Sequence, residues 1–162
     1  MRGASTEAEL DRQVAEIGDD TRRRLHLVPY ERRYGDWDAL ARRNREMLAI
    51  LRSARLRLGQ LQPPPARTEA YQLYLDGLDR QLVLEQAVIA AADAADLEAF
   101  KSACHTLALA LDEIQAAGLR AGLRSTRTTL AQRVRRWVRL PWVLMLANRH
   151  ARDEHRAGRR WQ

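Results

Sequence analysis

The sequence predicts an all-α antiparallel bundle of about four long helices with a basic amphipathic C-terminal helix, and three observations predict it. Apolar residues recur at alternating spacings of three and four through most of the chain, as on a helix with one face in a core. The five Pro and eight Gly fall mostly between these periodic segments. No alternating run of β-branched residues is present, so no strand is needed.

The first helix is predicted to begin after Thr6, because Thr6 and Glu9 have the S/T-x-x-E spacing that satisfies two orphan amides, and to end near Gly18 or Leu25. The connector from Leu27-Val28-Pro29-Tyr30 to Gly35 reads as irregular. Asp36 is a good N-cap for the second helix, whose seam runs Trp37, Leu40, Asn44, Met47, Leu51, Ala54 and Leu58. Asn44, the polar member of that seam, either fixes helix register or lies at the wet edge, and the second use is the commoner one. Gly59 and the Pro63-Pro64-Pro65 run end the helix and make a stiff, extended link.

Thr68 is expected to cap the third helix. Tyr71, Tyr74, Leu75, Leu78, Leu82 and Ile89 form one of its stripes and Leu73, Leu84 and Val88 a second, so this helix is expected to be central. After a bend at Ala91-Ala92-Asp93-Ala94-Ala95, Asp96 caps a fourth helix with the seam Leu97, Phe100, Cys104, Leu107, Leu111, Ile114 and Gly118. Helices joined by so short a link must run antiparallel. A second capping box, Thr129 to Gln132, opens the last segment, which Pro141 kinks or restarts before a final helix over about Trp142 to Arg156. Residues 1–124 therefore read as the bundle and 125–162 as a basic segment packed on it or extending from it.

The length of 162 residues suits one domain, and 46% hydrophobic residues supply a core, which excludes disorder of the whole chain. One Cys and four His exclude a disulfide framework and a Cys-rich zinc module. The longest apolar run, Trp142 to Ala147, is far short of the roughly 18 residues of a spanning helix. Met1-Arg2-Gly3-Ala4-Ser5 carries no apolar stretch of the secretory kind, so a cytoplasmic or membrane-surface location is expected.

The net charge of +7 is unevenly placed. Residues 1–59 hold 13 Arg against 10 acids, 60–118 hold three basic residues against nine acids, and 119–162 hold 12 Arg against Asp153 and Glu154 alone. A basic end on an acidic middle is the pattern of a protein that meets phosphate, on lipid or nucleic acid, with one end. Arg makes up 27 of the 28 basic residues, a bias that GC-rich coding also produces, so the placement is more informative than the number.

No catalytic, metal or cofactor constellation stands out. Cys104 and His105 are adjacent, but helical geometry sends Cys104 to the apolar seam and His105 to the solvated face beside Lys101 and Asp112. His150 and Glu154 share a face with Asp153 nearby, yet zinc wants three or four protein ligands and His155 points about 140° away. Gly118 to Gly122 gives G-x-x-x-G without strand context, and Lys101, the only lysine, is not placed as a phosphate-loop lysine. Those glycines read as the end of the fourth helix.

The remaining constellation is Arg133, Arg135, Arg136, Trp137, Arg139, Trp142, Arg149 and Arg152, interleaved with aliphatic residues. Rings at the headgroup boundary with guanidinium groups reaching phosphate are what an interfacial segment requires. The same arginines suit nucleic-acid phosphates, although polar base-reading residues are lacking, and they also suit the wet face of a helix packed on the bundle.

Arg57-Leu58-Gly59-Gln60-Leu61-Gln62-Pro63-Pro64, then Tyr71, Tyr74-Leu75, Leu78-Asp79-Arg80, Ala87-Val88, Ala91-Ala92, Asp96-Leu97, Phe100 and Gly118-Leu119 carry a resemblance. Over residues 37 to 123 the chain resembles the helical domain of uncharacterised actinobacterial lipoproteins and membrane-anchored proteins. The resemblance implies a bacterial, all-helical extracytoplasmic bundle and no active site. It also implies a Cys pair, which this chain lacks, with Arg120 and Ala121 following the Gly-Leu.

The expectation is therefore a non-enzymatic helical scaffold or interaction protein, without cofactor or metal. Its basic segment is expected to dock on an anionic membrane or a protein partner, with sequence-independent nucleic-acid binding as the alternative. Spare apolar seam would serve a homo-oligomer.

Overall fold

A computed structural model describes residues 6–29 and 36–123, which form four helices and, among the described residues, no strand. The expected Thr129 capping box, the Pro141 kink, the final helix and the boundary of the second segment all lie outside the described residues.

Helix α1 spans Glu7–Leu27, with the Thr6 hydroxyl accepting from the Glu9 amide at 3.3 Å. It runs past Gly18 and ends at Leu27, near the second of the two expected stops, Leu25. Gly18 is an interior helical residue with open space where a side chain would be, and the helix ends only as Val28 turns extended ahead of Pro29. Steric exclusion of the residue before proline from the helical region accounts for that stop.

Helix α2 spans Trp37–Gly59 and is capped as expected, the Asp36 carboxylate accepting from the Ala39 amide at 2.9 Å. Asn44 is not at a wet edge: it is only 8% exposed, enclosed with Ala41 and Leu48 on the inner face. The proline link closes in a single 3-10 turn at Pro65–Arg67, and helix α3 follows without a break over Thr68–Asp93. Thr68 consequently does not cap α3. It is already helical, and its hydroxyl donates to the Pro64 carbonyl, because the turn before it has aligned the chain.

Helix α4 spans Leu97–Arg120, capped by Asp96 through the Ala99 amide at 2.9 Å. Between α3 and α4 the chain reverses through Ala95, which has φ +52°. The Ala95 and Asp96 amides return to the Ala92 and Ala91 carbonyls, the paired closure that satisfies orphan carbonyls at a helix end. The end of α4 repeats this closure, with Gly122 at φ +74° and the Leu123 amide bonded to the Gly118 carbonyl. Gly122 therefore takes the expected terminating role, while Gly118 remains inside the helix.

Helix α3 is central, packing against both α2 and α4, and α1 packs on α2. Arg45–Asp93 and Arg55–Asp79 pair α2 with α3 in descending register, and Ala92 clusters with Phe100 while Gly77 lies against Ile114 in α3 and α4, so these neighbours are antiparallel. Of the second expected stripe on α3, Val88 is buried but Leu73 is 54% exposed and points outward.

Two apolar clusters form the core. One joins Leu10, Val14 and Ile17 of α1 to Leu58, Tyr71, Tyr74, Ile114 and Leu123. The other joins Ala41, Val88, Ala92 and Phe100, with Trp37 standing edge-on to Phe100 at 5.6 Å, a favourable aromatic geometry. Between them along α3 lie Gln81 and Glu85, both buried.

Candidate functional site

The expected anion-binding residues Arg133, Arg135, Arg136, Trp137, Arg139, Trp142, Arg149 and Arg152 lie outside the described residues, as do His150, Asp153 and Glu154. What the described residues do establish is how the bundle's own charge is arranged. Five basic side chains of the bundle are paired across helices: Arg45 with Asp93, Arg55 with Asp79, Arg57 with Asp20, Arg67 with Asp11 and Arg80 with Glu113. Along α1, Arg12 bridges Glu9 and Glu16. The Arg12 contact holds the Glu9 carboxyl below its usual range.

Cys104 is half-buried on the second apolar cluster and His105 is exposed, so the two side chains diverge as helical geometry requires. Burial, and secondly the nearby Glu85 carboxylate, pushes the Cys104 thiol up to about 11. A thiol held protonated is a poor nucleophile at neutral pH. Among the described residues no three of His, Cys, Asp and Glu gather to hold a metal, and no helix is long and apolar enough to cross a membrane.

The bundle carries one feature that periodicity did not reveal, a pocket partly open to solvent. A cavity of about 280 Å³ lies between α1, α2 and α3, walled by Val14, Ile17, Leu51, Ala54, Leu58 and Leu78. Gly18 lines it without a side chain to fill it. Its polar members are Thr21, whose hydroxyl is already bonded to the Ile17 carbonyl, together with Tyr74, Gln81 and Arg55. Gln81 is 9% exposed. Arg55 pairs through one terminal nitrogen with Asp79 at 2.6 Å, while its Nε is buried without a partner.

The signal for this cavity was present in the sequence, in a glycine at mid-helix and in Gln81 at the i+3 continuation of the Tyr74, Leu78 stripe. Neither residue type announces a void until the opposing helices are placed.

Comparison of the chain with family models, with curated proteins and with solved structures finds no match.

Proposed function

We propose that the chain is a non-enzymatic helical scaffold whose residues 125–162 dock on an anionic membrane surface. One observation supports this reading above others: the bundle's basic side chains are repeatedly matched to its own carboxylates across helices, whereas residues 124–162 carry eleven Arg against Asp153 and Glu154. The surplus positive charge is thus concentrated in one segment, where Trp137 and Trp142 stand among Arg133, Arg135, Arg136 and Arg139. Each basic residue close to an anionic surface contributes about 1 kcal/mol, so four or five give reversible attachment. Indole rings at headgroup level add an apolar component that phosphate alone does not use.

The test is flotation of the full chain with neutral and with phosphatidylserine-containing vesicles at physiological salt, with duplex DNA as competitor. The expected result is flotation on anionic vesicles only, lost in the double variant Trp137→Ala, Trp142→Ala, and resistant to DNA. Capture by DNA with a salt slope of about −0.9 per contacted phosphate, surviving the Trp changes, would replace the membrane with nucleic acid. Indifference to both would leave a protein partner, or a second copy, as the ligand of the segment.

A further inference from the structure

We infer that the outer face of the α3–α4 hairpin binds a second copy of this chain, in a two-fold dimer that lays α3 of each copy on α4 of the other. Leu73 and Val83 of α3 and Leu109 of α4 are each more than half exposed, on the side of the hairpin away from both apolar clusters. Leu73, Arg80 and Val83 recur at helical spacing on one stripe of α3, and Leu109, Glu113 and Ala116 on one stripe of α4, all of them exposed. Apolar side chains that flank a central ion pair are the composition of an interface patch rather than of a fully solvated face.

The two stripes are in register. Gly77 lies against Ile114, and Arg80 pairs with Glu113 at 2.9 Å. In this antiparallel hairpin Val83 therefore stands level with Leu109, and Leu73, on the other side of the ion pair, stands level with the stretch from Ala116 to Leu119. A two-fold axis running along the hairpin, in the plane between two copies, brings α3 over α4 of the other copy at the same level. Val83 then meets Leu109, Leu73 meets Ala116 and Leu119, and Arg80 meets Glu113 of the other copy. An axis across the helices at that level would stack Arg80 on Arg80 and Glu113 on Glu113, so the charges select the first arrangement.

Charge and area both favour a second copy as the occupant. The central cation and anion balance, so the face offers no surplus of carboxylate to residues 124–162, which carry eleven Arg against two acids. An anionic lipid surface would press its headgroups against Glu113. With 1.5 Å of rise per residue and helices about 10 Å across, the face from Glu69 to Ala90 covers roughly 30 Å by 20 Å, about 600 Å² per copy and about 1,200 Å² in the pair, the lower end of specific interfaces. No residue of this face belongs to the basic segment, so the inference does not rest on the membrane reading.

The experiment is sedimentation equilibrium of the full chain from low micromolar to submillimolar concentration at physiological salt. Wild type is expected to pass from monomer to dimer and no further. Arg80→Glu sets four acids at the centre of the dimer and Glu113→Arg four cations, so each variant alone is expected to self-associate at least about tenfold more weakly. An equimolar mixture of the two restores opposite charges across the interface and is expected to dimerise as wild type does. Both side chains are mostly exposed in the single copy, where such a pair contributes little to stability, so helical circular dichroism is expected to be unchanged. A wild-type chain that stays monomeric throughout would overturn the proposal. So would undiminished dimers in both charge variants, which would move self-association to residues 124–162 or to another face. A mixture that stays monomeric would overturn the pairing of α3 with α4 of the other copy.

Discussion

Arg67 donates through Nε to the backbone carbonyl of Ala121 at 2.7 Å, tying the residue before α3 to the residue after α4. The same guanidinium reaches Asp11 of α1 through Nη2 at 2.9 Å, and the side chain is only 12% exposed. One cation thus joins three helices at the end of the bundle where Leu10 and Leu123 are fully enclosed.

Replacing Arg67 with Met should lower unfolding stability by about 2–3 kcal/mol, because a buried carbonyl loses a charged donor and Asp11 loses its partner. Lys at this position should recover only part of that loss, having no planar fork to serve two acceptors at once. Urea unfolding followed by circular dichroism measures both, and wild-type stability in Arg67→Met would refute the assigned role.

The two helix ends with left-handed residues predict changes of opposite sign. Ala95→Gly relieves the left-handed strain of an alanine and should stabilise by about 0.5–1 kcal/mol after the added chain entropy of glycine is offset. Gly122→Ala imposes that strain and brings a Cβ to 2.9 Å from the anchored Arg67 Nη2, so a loss of at least about 1–2 kcal/mol is expected. Thermal unfolding of the two single variants checks the pair.

Glycines inside helices should also respond in opposite directions. Gly18→Ala adds a methyl into open space and should gain about 0.5–1 kcal/mol of helix stability. Gly77→Ala places its Cβ 2.9 Å from Ile114 Cγ1 at the α3–α4 contact, where overpacking of about 1–3 kcal/mol outweighs the helical gain. The midpoint of denaturation should rise in the first and fall in the second.

Cys104 sets a pH dependence. Its thiol titrates near 8.5 in an unfolded chain and near 11 in the fold, so the native state keeps its proton after the unfolded state has lost it. The associated stability is fully present below about pH 8.5 and is lost as pH rises through 11. Wild type should therefore lose more stability than Cys104→Ala between pH 8 and pH 10. At pH 8, labelling of native Cys104 by an aromatic disulfide should be far slower than labelling of the urea-unfolded chain; equal rates would contradict the burial.

The helix starts at Thr6, Asp36 and Asp96 were legible because each is a local contract between a side chain and an amide three residues on. Thr68 looked the same in sequence, yet the preceding Pro64-Pro65 step winds a 3-10 turn that supplies its own alignment. Gly18 read as one of two stops because glycine is a poor interior residue, whereas the helix gains enough from burying Leu10, Val14 and Ile17 to continue to Leu27. The burial of Asn44, Gln81 and Glu85 depends on which helices face them, information that no single-helix periodicity contains. The arginines of residues 125–162 are legible in composition and charge, which need no fold to be read.

The separation of the core into two clusters has a dynamic consequence. Helix α1 contributes to the first cluster and not to the second, so its apolar anchorage among the described residues lies on the side of Leu10, Val14 and Ile17, with the Asp20–Arg57 pair beyond it. Residues from Thr21 to Leu27 are held by little apolar contact, with Leu27 itself 81% exposed. Amides in that half of α1 should exchange with solvent at a lower free energy than those of α3, through a partial opening that leaves α2, α3 and α4 assembled. Such an opening lifts Thr21 away from the pocket between α1, α2 and α3 and widens its mouth, so the end of α1 sets how far that pocket is open.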